Sequence, residues 1–191
     1  MTERSVRHSF VVARHREVDS TNALARRALE NLAAAMPPQA WVADVQTAGR
    51  GQHGRSWHAA PGDALLLSVA WPFGNDTPLQ GLSLAVGVLT VQALATLPGV
   101  SAERIGLKWP NDLLLDRERK LGGILIEALP TAAGRVAVIG IGLNLHGVPK
   151  LATPPAGSVA GALPPARLDE VAAAPPDRKS TRLNSSHRTV S

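Results

Sequence analysis

The chain predicts an α+β domain, a mixed, largely antiparallel sheet with two helices packed on it. Three observations carry this expectation. Residues 105–145 hold four short apolar and β-branched runs with only a few residues between them. That spacing permits hairpins but not the crossover of a dozen or more residues that parallel strands need. Two longer runs, residues 23–35 and 77–97, carry helix-start signals. The 191 residues are 45% hydrophobic and 18% charged, a globular balance sufficient for one core and an enclosed site.

Residues 10–18 form the first predicted strand. Asp19, Ser20, Thr21 and Asn22 follow as good N-cap types, and the alanine-rich run 23–35 stops before Pro37 and Pro38. Residues 40–45 read as a short strand and residues 47–63 as a glycine-rich loop. Residues 64–71 are a continuous apolar run of strand length, expected to be buried on both faces. Thr77 as N-cap and Pro78 at the first helical position start a helix that reaches about Leu97. Runs 105–109, 113–115, 120–129 and 135–145 are the remaining strands, with turns at 116–119 and 130–134. The folded domain is expected to span residues 1–147. Residues 148–176 read as a Pro/Ala-rich partial segment with at most one short helix, near 166–174, and residues 177–191 as a disordered or non-native tail.

Composition removes several classes of function. The absence of Cys excludes a disulfide scaffold, a thiolate metal site and a Cys nucleophile, and it fits a reducing compartment. No uninterrupted apolar stretch reaches about 18 residues, and the N-terminal segment has charges throughout with no apolar core. A soluble, cytoplasmic chain that does not enter membranes is therefore expected. The net charge of +5 invites a nucleic-acid reading, but residues 177–191 contribute four basic residues against one acid. That leaves only +2 for the rest, and 3% aromatics with no Tyr provide no stacking platform.

Residues 49–56 read Gly-Arg-Gly-Gln-His-Gly-Arg-Ser. Gly49, Gly51 and Gly54 match a dinucleotide fingerprint, and Gly49, Gly54, Arg55 and Ser56 are one substitution from a phosphate-binding P-loop. Both motifs need a helix to begin inside the glycines. The continuation through Pro61 and Gly62 has no helical run, and no acid stands at the end of the next strand, so neither motif is expected to hold. What remains is a glycine loop whose backbone can approach a ligand, with Arg50 and Arg55 as charged forks for carboxylate or phosphate; the alternative is a solvated surface loop. Lys108-Trp109-Pro110-Asn111-Asp112 runs from a strand end into a turn, where Asp112 could hold Mg²⁺ beside a nucleotide. Gly122 and Gly123, then Gly140 and Gly142, lie inside apolar strands, which usually marks a bulge or a close approach by ligand or backbone. Lys120 begins the first of these strands and Asn144 ends the second. His53 and His58 lack the spacing of a helical metal pair, and no nucleophile elbow is present.

Six segments, taken in order, resemble the catalytic domain of biotin–protein ligases: residues 19–22, 46–51, 54–57, 108–112, 120–125 and 140–144. The resemblance covers about residues 10–147. It implies a fold similar to the catalytic domain of class II aminoacyl-tRNA synthetases and the biotin–lipoate ligases. It also implies an ATP-dependent ligase that makes biotinyl-5′-AMP and transfers biotin to a lysine of the biotin carboxyl carrier protein. Lys120 and Arg50 would be the catalytic residues. Ser20, Thr21, Asn22, Gln46, Arg50, Gly51, Gln52, Lys120, Gly122, Gly123 and Leu125 would bind biotin. Arg50, Arg55, Trp57, Lys108, Asn111, Asp112 and Asn144 would bind ATP, with Asp112 on Mg²⁺.

The chain departs from the family pattern in three places. No winged helix fits before residue 10, so DNA binding is not expected. The small C-terminal β-barrel is missing after residue 147. Gln52 stands where the Gly-Arg-Gly loop commonly continues with Arg. A lipoate–protein ligase shares the chemistry, but its substrate has no ureido group to use the Ser-Thr-Asn cluster and Gln46. A non-catalytic module that binds biotin or its adenylate is the alternative from another class.

Overall fold

The computed structural model describes residues 11–30, 37–131 and 134–145. Strand β1 (Val11–Val18) leads through helix α1 (Thr21–Leu29) into β2 (Gln39–Gln46). Because a helical crossover joins them, β1 and β2 pair in parallel. A small hairpin of β3 (Gly49–Arg50) and β4 (Ser56–Trp57) precedes β5 (Ala64–Phe73) and helix α2 (Leu82–Ala95). The chain then meanders through β6 (Ile105–Lys108), β7 (Asp112–Leu115), β8 (Arg119–Thr131) and β9 (Gly134–Asn144). The main sheet has seven strands in the order β1-β2-β5-β9-β8-β7-β6, and every pair except β1–β2 is antiparallel. The expected class and the strands of residues 105–145 are thus borne out.

Three expectations need correction. Residues 47–63 are not a plain loop, since Gly49 and Arg50 pair with Trp57 and Ser56. The second helix begins at Leu82 rather than after Thr77. Gly81 stands before it in a left-handed conformation (φ 79°), which stops any helix begun at Pro78 from continuing. Residues 64–71 are not uniformly buried: Ala64, Leu66, Ser68 and Ala70 are, whereas Leu65, Leu67, Val69 and Trp71 are half-buried. The predicted helix residues 31–35, and segments 148–176 and 177–191, lie outside the described residues. No helix among the described residues is long and apolar enough to cross a membrane.

The two sheet faces do different work. On one, α2 covers the larger core, including Leu113, Leu115, Leu121, Ile124, Ile139 and Leu143. Each such side chain contributes about 1.5–3 kcal/mol when fully buried. Gly87 lets α2 come close, because a Cβ there would lie 2.9 Å from a methyl of Leu107. On the other face, Ala25 and Leu29 of α1 pack on Trp41, Ala70, Val136 and Val138. That smaller core covers only part of the face. The uncovered part carries the site.

Two ion pairs fix the ends of elements. Arg104, 9% exposed, holds the β7–β8 turn by a two-pronged bond to Asp116, Nε–Oδ1 3.0 Å and Nη2–Oδ2 2.7 Å. Asp116 and Arg117 both have positive φ (52° and 63°), so this turn lacks the glycine that would adopt it freely. Arg104→Ala leaves a partly buried carboxylate without its fork and should lower unfolding free energy by about 2–3 kcal/mol, read from urea denaturation. A loss under about 0.5 kcal/mol would mean that water replaces the guanidinium.

Asp19 accepts the Ser20 N–H and the two Nη groups of Arg27, at 2.8, 2.7 and 2.8 Å. The Arg27 hydrogen bonds, helped by the Ser20 amide and by the nearby charge, outweigh partial burial and lower its carboxyl from 3.8 to about 2. A depressed carboxyl stabilises the fold above its unfolded pKa, and that contribution fades as pH falls through the folded one. Stability should therefore decline between about pH 4 and 2, and Asp19→Asn should flatten that decline in acid denaturation midpoints. The pair is substantially exposed, so the effect is modest.

Candidate active site

The site lies on the α1 face of the sheet. The backbone bonds Thr47 N–H to Val18 O (2.9 Å) and Ala48 N–H to Asp19 O (2.8 Å) bring the end of β2 against the start of α1. Gly49 is buried there, where a Cβ would fall 2.5 Å from Trp57 O and 2.7 Å from Gln46 Nε2. The following hairpin closes through Gly51 N–H to Arg55 O at 2.7 Å, with His53 (φ 58°) and Gly54 (φ 74°) in left-handed conformations. Only a three-residue 3-10 turn, Gln52–Gly54, forms among these glycines, so no helix N-terminus faces a phosphate. The dinucleotide and P-loop motifs are absent in three dimensions, as the sequence implied.

The strand glycines admit side chains of the protein. A Cβ on Gly140 would lie 2.4 Å from Asn22 Oδ1, and one on Gly142 would lie 2.8 Å from the Trp57 ring. At Gly123 the near atoms are Cε and Nζ of Lys120, both at 3.5 Å. Gly122 differs. It is buried, and a Cβ would meet Gly142 O at 2.5 Å, so it serves the close β8–β9 pairing.

Together these elements enclose a cavity of about 370 Å³. Every sequence-predicted site residue lines it except Gly122 and Asn144. Asn144 acts one step back, donating from Nδ2 to Lys120 O at 3.2 Å. Leu66, Gly140, Ile141 and Gly142 also line it.

The buried part of the cavity is polar and neutral. Ser20, Thr21 and Asn22 are almost fully buried, and Ser20 caps α1 through Oγ to Ala23 N–H at 3.5 Å. Gln46 Oε1 accepts the Thr21 N–H at 2.7 Å and lies 3.0 Å from Thr21 Oγ1. Ser68 Oγ lies 2.7 Å from Thr21 Oγ1 and 2.6 Å from Asn22 Oδ1. Asn22 Nδ2 donates to Glu127 Oε2 at 2.9 Å, and Arg26 Nη1 to Glu127 Oε1 at 2.9 Å. Ser68 and Glu127 escaped the sequence reading. Their signal was there: one hydroxyl inside the apolar run 64–71 and one acid inside the strand 120–129.

The remaining part is charged. Lys120 Nζ donates to Asp112 Oδ1 at 2.6 Å and lies 5.9 Å from the centre of the Trp57 ring, within cation–π range. Asn111 is tied to β8, its side-chain Nδ2 donating to Ile124 O at 3.0 Å and its backbone carbonyl accepting the Ile124 N–H at 2.9 Å. Arg50, Arg55 and Lys108 are exposed. Trp57 Nε1 is buried without a hydrogen-bond partner among the described residues. Asp112 is the one carboxylate among the described residues that line the cavity, and no group of three metal-ligating side chains occurs among them.

Several known proteins are similar to this chain in sequence or in fold. The biotin–[acetyl-CoA-carboxylase] ligase of Mycobacterium tuberculosis is 42% identical over 121 residues, 62% of this chain and 43% of that protein. The enzyme of the same name from Paracoccus denitrificans is 40% identical over 150 residues, 77% of this chain and 58% of that protein. The biotin protein ligase of Leishmania major, solved with biotinyl-5-AMP, matches with a TM-score of 0.68 at 25% identity, over 85% of this chain and 64% of that chain. This chain therefore spans about half the length of the curated relatives it matches. Residues 15–144, which contain all six motif segments, match the biotin/lipoate A/B protein ligase family, and the chain belongs to it.

Proposed function

We propose that this chain carries the adenylating site of a biotin–protein ligase. The observation behind this reading is the division of one cavity into a buried neutral polar part and an exposed cationic part. A ureido ring offers N–H donors and a carbonyl acceptor, which suit Thr21 Oγ1 and the Gln46 amide. Leu66 and Leu125 suit its apolar chain. A lipoyl dithiolane would offer Thr21 Oγ1 and the Gln46 amide nitrogen no hydrogen bond in exchange for the water it displaces.

The reaction brings a carboxylate to a polyphosphate. A carboxylate oxygen attacks the α-phosphorus of ATP, the bond to the bridging oxygen breaks and pyrophosphate leaves. A lysine amine of the biotin carboxyl carrier protein then attacks the acyl carbon, and AMP leaves. The like charges of the first step require cations. Lys120 supplies one: its ammonium begins paired with Asp112, and the incoming oxygens compete for it. Arg50 and Arg55 supply planar forks near the acyl–phosphate junction. Trp57 offers the nucleotide a ring face and a free Nε1–H. A single carboxylate beside exposed cations suits magnesium that arrives on the nucleotide, where it shields phosphate charge, with Asp112 as one oxygen ligand.

Lys120→Ala should slow pyrophosphate release in the presence of biotin and ATP by about 10²–10³, roughly 3–4 kcal/mol, while the unfolding midpoint stays put. A rate within a few-fold of the parent would remove Lys120 from the mechanism.

Gln52 offers the adenylate a neutral contact where arginine would offer a charge-assisted one, a difference on the order of 1 kcal/mol. Gln52→Arg should therefore slow release of biotinyl-AMP about tenfold in a rapid-filtration assay. An unchanged release rate would mean that Arg50 and Arg55 already supply the needed charge.

A further inference from the structure

We infer that Glu127 is a positioning residue that sets the direction of hydrogen bonding in the buried part of the cavity. Its target is Thr21 Oγ1, which it leaves facing the ligand as an acceptor only. The inference rests on the ureido-binding role proposed above.

The argument follows the protons. A carboxylate accepts and does not donate. Glu127 therefore draws Asn22 Nδ2 to its Oε2 at 2.9 Å, while its Oε1 is held by Arg26 at 2.9 Å. Leu125 O, 3.5 Å from the same Nδ2, favours the same orientation. Asn22 Oδ1 must then face Ser68 Oγ, 2.6 Å away, and only the Ser68 hydroxyl can supply the proton between them. Ser68 is fully buried and has one proton, so toward Thr21 Oγ1, at 2.7 Å, it can only accept. Thr21 spends its own proton there. Gln46 Oε1, which accepts the Thr21 N–H at 2.7 Å, lies 3.0 Å from Thr21 Oγ1 but receives no proton from it while Ser68 takes that proton. Thr21 Oγ1 thus meets the cavity with lone pairs alone, and the amide nitrogen of Gln46 stands beside it as a donor.

Glutamine at position 127 would reverse this order. Its oxygen would stay with the charged Arg26, and its NH₂ would turn toward Asn22. Asn22 would flip and Ser68 would donate to Thr21, which frees the Thr21 proton for Gln46 Oε1 or for the ligand, so Thr21 Oγ1 would no longer face the ligand as an acceptor only.

The test titrates biotin, and the two lactam analogues in which one or other ureido N–H is replaced by CH₂, into the parent chain, Glu127→Gln, Ser68→Ala and the double variant. In the parent, biotin should bind at least fivefold more tightly than one of the lactams. Glu127→Gln should weaken biotin five- to tenfold and that lactam less than twofold, and it should raise the biotin KM for adenylation while kcat stays within twofold. Ser68→Ala should also erode the preference. In that background Glu127→Gln should cost less than twofold more, since the relay is already cut. Equal losses for biotin and lactam, or full discrimination retained by Ser68→Ala, would overturn the inference even if Glu127→Gln failed to fold. A parent that binds no biotin would instead sink the functional reading, and this inference with it.

Discussion

The inner surface of β8 and β9 can hold a site because side chains are missing from it at positions 123, 140 and 142. A methyl at 140 would sit 2.4 Å from Asn22 Oδ1 and push the first turn of α1 off the sheet. That turn supplies Thr21, whose N–H donates to Gln46 Oε1, so the displacement would also loosen the end of β2 and the hairpin beyond it. A methyl at 142 would collide with the Trp57 ring, which is what the hairpin lays on the sheet. The glycines do not simply make room for a ligand. At positions 140 and 142 they let Asn22 and Trp57 approach the backbone, and those groups shape the cavity.

This placement needs a sheet that does not yield, and the opposite face provides it. Leu113, Leu115, Leu121 and Ile124 are fully or almost fully buried, and they lie with α2 on the side away from the site. Interiors of this kind are close-packed and transmit strain, so β8 is held from behind while its front carries polar groups. A hydrogen bond contributes only about 0.5–1.5 kcal/mol net, against about 1.5–3 for each buried Leu or Ile. The apolar face therefore stabilises the fold, and the polar network sets geometry.

The strands and their antiparallel meander were legible in the sequence because short connections leave no alternative to hairpins. The motif residues were legible because six segments in order resemble the biotin–protein ligases, while residue type alone left each segment open, and most of them line one cavity. Less could be read where long-range packing decides. The late start of α2 depends on a left-handed Gly81, which nothing in Thr77 and Pro78 announces. The hairpin inside residues 47–63 depends on Gly49 passing close to Trp57 O, a contact between residues that sequence alone does not bring together. Ser68 and Glu127 were hidden for a related reason. A serine in an apolar strand and an acid at a strand's half-exposed face read as tolerated exceptions until Asn22, more than 45 residues away from either along the chain, is seen between them.

The position of the charges decides which way a substrate can lie. The buried hydroxyls and amides are neutral and hydrogen-bonded to one another, so they carry no net charge that could offset a buried carboxylate. Moving an ionised acid among them would strip its water without supplying a cation, a penalty of several kcal/mol. On the proposed function the neutral ring of an amphiphilic acid would meet no such penalty, because its N–H and C=O groups would exchange water for Thr21 and Gln46. The carboxylate would instead lie beside Lys120, which is half-buried and already paired with Asp112. There the incoming acid replaces one carboxylate partner of the ammonium with another, so little electrostatic energy is lost on arrival. On that reading the groups that would meet the ring and the Lys120–Asp112 pair together define where the acid would stop.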